Sequence, residues 1–247
     1  TTTPFGAGLA TATDSLAAIK KAVFEDRSVS MDELLHALDT DFEGMEGEKI
    51  RQKLLATPKF GNDDDYVDEF ARFLTDTFMK EVETYESGRG GHLVGGFFTL
   101  SSTVPLGHET PATPNGRKAR TPISDSVSPT NGVEENGPTA VLNSAAKIDH
   151  SRCAAGNAVN IKFSPGALES AGKLEKFANL ITAYLIDMHG FEVQINVVSA
   201  DTLRAAQKNP AEYRDLIIRI AGYSARFVEL APDIQEDLIT RTEHQMV

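Results

Sequence analysis

A chain of 247 residues with ordinary apolar and charged content can bury a sizeable core, as one large domain or two modest ones. Its formal net charge of −12 argues against nucleic acid and anionic membrane surfaces as partners, since both call for clustered basic residues. A single cysteine, Cys153, rules out an internal disulfide and a cysteine-built metal site, and no run approaches the ~18 apolar residues that span a bilayer.

The chain opens TTTPFGAGLATATDS, small and polar rather than a basic-then-apolar secretory signal, and without Met; it reads as a piece of something longer. DSLAAIKKAVFED sets Leu16, Ile19 and Val23 at helical spacing, with Asp14 as the expected cap. Ser30 and Glu33 form a capping box, and Leu34, Leu35 and Leu38 are expected on one face of the helix it starts. The aspartates of GNDDDYVDEF feed another helix N-terminus, where the dipole favours carboxylates. That helix is expected to reach about Tyr85, with Phe70, Leu74, Phe78, Val82 and Tyr85 on a shared stripe. A hard cation at Asp63, Asp64 and Asp65 is the alternative, but the spacing is not that of an EF-hand loop.

From Gly88 to Pro138 the helical period vanishes. GRGGHLVGG (88–96) has the glycines of a dinucleotide loop but follows a helix and precedes a strand, the reverse of the order that aims amides at phosphate. FFTLSST (97–103) is expected to be a strand, and the rest a long central loop of the kind that is often functional. Order returns with a helix over 139–148, a strand over 157–165 and a helix over 174–190 with Gly190 as its C-cap. In the strand FEVQINVVS (191–199), Phe191, Val193, Ile195 and Val197 alternate with Glu192, Gln194 and Asn196. A short helix, the strand-like DLIIRIAGY and a helix starting at Pro232 close the chain. Alternating strands and helices give an α/β fold.

Residue chemistry narrows the choice by elimination. The six histidines make no HxxxH or HExxH pattern, and the GxSxG, Ser-x-x-Lys, P-loop and kinase signatures are absent, so no metal site is expected. Cys153 reads as a small core residue, because neither His150 nor Arg152 need face its thiol. What remains is the lone Gly222 of RIAGYSARF (219–227), between bulky residues and with no Pro or Asn to make an ordinary turn.

RIAGYSARFVEL followed by ITRT closely resembles the glycyl radical segment of the glycyl radical enzymes, the pyruvate formate-lyase superfamily. The resemblance extends through DSLAAIKKAVFED, PKFGNDDDYVDEF, GRGG, ATPNGRKA, NGPTAVLNSAAKIDH, NIKFSP and VQINVVSADTLRAAQKNPAEYRDL, and so covers practically the whole chain as the carboxy-terminal third of such an enzyme. It implies the second half of a ten-stranded α/β barrel, divided into a pyruvate formate-lyase-like part (1–115) and a glycine radical domain (116–247), with Gly222 at the tip of a buried finger loop.

The resemblance also implies a mechanism. A radical S-adenosylmethionine activating enzyme with a [4Fe–4S] cluster takes a hydrogen atom from Gly222, so the organic radical is installed post-translationally and no bound cofactor is expected. The radical passes to a cysteine in a Cys-x-Glu loop, and the thiyl attacks a small substrate. Cys153, followed by two alanines, lacks that glutamate and is not the thiyl residue, so the rest of the polypeptide is an expected partner. The Gly-Tyr-Ser-Ala run points to the branch of dehydratases and lyases that break C–O, C–N or C–S bonds. The alternatives are a pyruvate formate-lyase-type acyltransferase and an autonomous glycyl radical cofactor-like protein. A homodimer, an anaerobic or facultative host, and a cytoplasmic or microcompartment location follow by analogy.

Substrate-lining residues are not assigned by the sequence. FFTLSST and FEVQINVV are candidate lining strands. The polar face of the second, Glu192, Gln194 and Asn196, either meets substrate or braces the finger loop.

Overall fold

The structure, a computed structural model, describes residues 2–246. The first half is helical. Helix α1 (Leu9–Ala18) runs on as a π-helix over Ile19–Glu25, and α2 (Met31–Asp39), α3 (Gly44–Leu55) and α4 (Asp65–Val82) follow. Asp14 is not a cap: α1 begins five residues earlier, and the Asp14 carboxylate is buried inside it, accepting from the Phe60 amide at 2.8 Å. The capping box forms as expected, Ser30 and Glu33 each satisfying the other's backbone amide. Leu34 is buried and Leu38 packs beside it, but Leu35 turns outward.

In α4, Asp64 is the N-cap, accepting from Tyr66 N at 3.0 Å. The neighbouring carboxylates are held by Lys147, whose ammonium lies 2.7–2.8 Å from Asp63, Asp65 and Asp68. The aspartate run is thus a cap and an ion-pair cluster. The helix ends at Val82 and its buried face is Val67, Ala71, Thr75, Met79 and Val82, with Phe70, Leu74 and Phe78 packed along its flank and Tyr85 exposed beyond the end.

Between α4 and α5 (Thr103–Glu109) the chain runs through turns and isolated bridges. FFTLSST is not a strand. Two glycines precede it, Leu100 takes a left-handed φ of 55°, and its pairing stops at a single parallel bridge from Phe97 to Asn157: Phe97 N is shared between Gly156 O and Asn157 Oδ1, each at 2.9 Å, and Thr99 N donates to the Ser126 side chain. The following loop is no surface excursion: Ser124, Asp125, Ser126, Val127 and Ser128 are all buried.

Helix α6 (Gly137–Ala146) leads to β1 (Ala158–Phe163). Helix α7 (Ala171–Thr182), extended as a π-helix over Ala183–Asp187, crosses over to β2 (Glu192–Val197), which pairs parallel with β1 in the register Ala158↔Glu192 to Phe163↔Val197. Gly190 lies beyond the helix end, its amide donating to Tyr184 O at 2.8 Å. Helix α8 (Ala200–Lys208), an antiparallel hairpin of β3 (Ile217–Arg219) and β4 (Ser224–Arg226), helix α9 (Pro232–Thr240) and β5 (Glu243–His244) complete the chain. Strand β5 pairs parallel with the other edge of β1, giving the order β2-β1-β5. A separate apolar cluster, with Leu203, Ile218, Ile220, Phe227 and Leu238 at its centre, seats the hairpin on α8 and α9.

Candidate functional site: the glycine hairpin

Gly222 lies in the turn that joins β3 to β4. The hairpin register runs from Ile217↔Arg226 to Arg219↔Ser224, and Ile220 N donates to Tyr223 O at 2.9 Å, which closes the turn on the glycine. Gly222 has φ +77°, a left-handed conformation that glycine adopts without the Cβ penalty of other residues. A Cβ here would lie 2.4 and 2.6 Å from two ring carbons of Phe98 and 3.1 Å from Leu100. The misread FFTLSST segment is therefore a neighbour of the site: as a loop it lays Phe98 over the glycine. Ile220 and Ala221 are buried, Gly222 is half-buried, and Tyr223 and Ser224 are exposed.

The polar face of β2 holds this turn. Gln194 Oε1 accepts the Gly222 amide at 2.8 Å and Arg219 Nε at 3.0 Å, and its Nε2 donates to Glu192 at 2.7 Å. Asn196 makes a reciprocal pair with Arg219, accepting its backbone amide at 2.8 Å and donating to its carbonyl at 2.6 Å. Gln194 and Asn196 are 4% and 8% exposed, while Val193 and Ile195 on the opposite face pack, partly buried, against the main apolar core, so both faces of β2 are covered and the polar one faces the hairpin. Side-chain amides take the place of a β-ladder between β2 and β3. Of the two expectations for this face, bracing of the loop is the one these contacts satisfy.

A second anchor comes from the end of the chain. Arg241 donates to Ile220 O at 2.9 Å and lies 3.4 Å from both Asp125 and Asp237. Asp125 is buried, and burial raises its carboxyl above the usual range while Arg241 opposes the rise. It also accepts from Thr99, Ser126 and Asn160. Sequence reasoning did not single out Asp125, Phe98 or Arg241 as site residues; the one available signal for Arg241 was its place in the ITRT motif. Cys153 is buried and donates weakly to Asp149 O, and burial raises its thiol, as suits a core residue. The GRGG segment forms an exposed turn with no helix after it to present amides to a phosphate. Among the described residues no group of three or more His, Cys, Asp and Glu could hold a metal ion, and no helix is long and apolar enough to cross a membrane.

Residues 1–107 match the family model described as pyruvate formate lyase-like, and residues 123–228 match the one described as glycine radical. The chain is 41% identical over 246 residues to the probable dehydratase YbiW of Escherichia coli, covering 97% of this chain and 30% of that protein. It is 45% identical to the isethionate sulfite-lyase of Bilophila wadsworthia, covering 97% and 29%. The glycerol-bound B12-independent glycerol dehydratase of Clostridium butyricum superposes with a TM-score of 0.95 at 45% identity, covering 99% of this chain and 31% of that one. The chain thus spans about 30% of the length of these relatives, as a part of their barrel fold.

Proposed function

The chain belongs to the glycyl radical enzymes, and on that premise we propose that Gly222 stores an unpaired electron for the cleavage of a C–O, C–N or C–S bond in a small substrate. The observation that carries the reading is the turn itself: a glycine at φ +77° whose Cβ position is taken up by the Phe98 ring, and whose amide is gripped by a buried glutamine. Removing a hydrogen atom from the glycine Cα leaves a planar centre flanked by an amide nitrogen and a carbonyl, both of which can share its spin. A side chain would crowd that plane and block the approach of a thiol.

The proposed sequence begins with a radical S-adenosylmethionine activating enzyme, which takes one hydrogen atom from Gly222. The Gly222 radical then takes a hydrogen atom from a cysteine thiol in a Cys-x-Glu loop of the longer protein, leaving a thiyl. The thiyl takes a hydrogen atom from substrate, the substrate radical expels its leaving group, and the product radical recovers hydrogen from the cysteine. A site closed to water and oxygen keeps these intermediates from side reactions. The division into residues 1–115 and 116–247, the homodimer, and the cytoplasmic or microcompartment location are part of this proposal. The relatives' names, a dehydratase and a sulfite-lyase, favour elimination. Pyruvate formate-lyase-type C–C cleavage is the second reading, favoured by the family model over 1–107. A non-catalytic radical-bearing protein fits less well, because the match runs far upstream of the glycine domain.

The test is a substrate panel. The full-length protein that contains this chain is activated anaerobically and given glycerol, 1,2-propanediol, trans-4-hydroxy-L-proline and isethionate, and separately pyruvate with coenzyme A. Elimination from one of the first four, absent in Gly222→Ala, is the expected result. Formate release from pyruvate without any elimination would overturn the elimination reading.

A further inference from the structure

We propose that Gln194 is a positioning residue for the radical: by holding the Gly222 amide plane it limits how far the spin spreads onto nitrogen, and so keeps the radical reactive enough to take hydrogen back from a thiol. The proposal rests on the reading of Gly222 as the radical site and deepens it.

The geometry is specific. Gln194 is buried, and its amide orientation is fixed at both ends, with Nε2 on Glu192 and Oε1 facing Gly222 and Arg219. The glycine's φ of +77° turns its amide plane well away from coplanarity with the extended chain direction. An unpaired electron in the p orbital of a planar Cα overlaps the nitrogen lone pair only if that amide plane rotates about N–Cα into line. The hydrogen bond from Gly222 N to Gln194 resists that rotation. On the other side of the glycine, the Tyr223 carbonyl accepts from Ile220 N at 2.9 Å and Ser224 is paired in β4, so the chain is held on both sides of the Gly222 N–Cα bond.

This matters because hydrogen exchange between Gly222 Cα–H and a cysteine S–H must run in both directions. One hydrogen atom moves each way, so atoms and electrons balance without a further reductant. A radical delocalised fully over both neighbours would be too stable to draw hydrogen from sulfur. A hydrogen bond's net worth of about 1 kcal/mol corresponds to about a five-fold change in such an equilibrium, with two- to tenfold as the working range.

The experiment uses the activated full-length protein with 15N-labelled glycine, read by electron paramagnetic resonance, together with turnover per spin. Gln194→Met removes the acceptor at similar volume. It should enlarge the 15N splitting at Gly222, lengthen the anaerobic life of the signal, and lower turnover per spin about two- to tenfold. Gln194→Glu made together with Glu192→Gln keeps both the acceptor and a hydrogen bond to position 192, and should return all three toward wild type, a rescue that a purely structural role does not predict for the splitting. If Gln194→Met does not fold or activate, Gln194→Asn, which withdraws the same group by one methylene, should shift the splitting in the same direction by less. Wild-type splitting and wild-type turnover per spin in a folded Gln194→Met, or in Gln194→Asn where it stands in, overturn the proposal. Absence of a glycine-centred signal in the wild-type protein instead overturns the reading of Gly222, so the two failures are distinct.

Discussion

The Arg241 guanidinium donates to the Ile220 carbonyl at 2.9 Å, so the end of the chain holds the strand that enters the glycine turn. The same guanidinium neutralises the buried Asp125, 116 residues away in sequence. Removing one partner of a buried charge pair strands the other, at a cost of about 3–5 kcal/mol. Arg241→Met is therefore expected to lower the unfolding free energy of the full-length protein by that order. Arg241→Met combined with Asp125→Asn is expected to recover part of it, because only the Asp237 carboxylate is then left without the guanidinium. A denaturant double-mutant cycle measures this, and strict additivity of the two substitutions contradicts the coupling.

Gly222 should be intolerant of a side chain for two separable reasons. Alanine at φ +77° costs about 1–2 kcal/mol from backbone sterics alone. The contacts of 2.4 and 2.6 Å to Phe98 add a clash that the ring can relieve only by moving. Gly222→Ala should lower the thermal midpoint, and Gly222→Ala with Phe98→Leu should regain part of the loss. Neither variant should carry a radical signal. If Phe98→Leu makes the alanine variant worse, the ring is not what limits the space.

The reciprocal pair between Asn196 and Arg219 is expected to be worth about 1–3 kcal/mol locally, because Asn196→Leu leaves a backbone amide and carbonyl without partners in a buried seam. Hydrogen exchange in the unactivated full-length protein should quicken at the Arg219 amide by about tenfold or more. The Ser30 capping box lies on a different helix, and Ser30→Ala, costing about 1 kcal/mol, should leave that exchange rate unchanged.

Stability should respond to pH through two opposing groups. Burial pushes the Asp14 carboxyl up to about 7, although Phe60 N, Lys59 and Thr130 oppose it. An acid that keeps its proton longer when folded contributes stability that is full below about pH 4 and is lost as pH rises through about 7. His244 runs the other way. Burial, then the Lys162 charge, pull it down to about 4, so stability is lost as pH falls from about 6.5. The slopes oppose each other between about pH 4 and 6.5. Asp14→Asn removes the first and leaves the second, so its thermal midpoint relative to wild type should climb by several degrees between about pH 4.5 and 7.5. A midpoint difference that is flat across that range contradicts the assignment to Asp14.

The parts of the fold legible in the sequence were those with a local cause. The capping box at Ser30 and the Asp64 cap depend on side chains reaching two or three residues along the chain, and β1 and β2 show the strand period directly. FFTLSST was misread because its composition suits a strand, whereas its backbone pairing ends after one bridge at Phe97 and the side chains of Asn157 and Ser126 supply its other partners. The central loop lacked any period because its order comes from buried serines and Asp125, which pair with distant residues. At the site, Gly222 stood out by motif. The polar face of β2 stood out by pattern with its role left open, because nothing local ties Gln194 to a glycine 28 residues on. Phe98 and Asp125 carried no local signal at all.

The central claim is that residue 222 holds the unpaired electron. The full-length protein is made with natural glycine and handled in H2O, and again with glycine deuterated at Cα and handled in D2O so that thiol exchange cannot return protium; both are activated under exclusion of oxygen and read by electron paramagnetic resonance. The account predicts a signal split in two by the one remaining α-hydrogen, collapsed by the deuterium, and missing from Gly222→Ala with Phe98→Leu. A signal whose splitting survives deuteration, or that persists in that double variant, contradicts it.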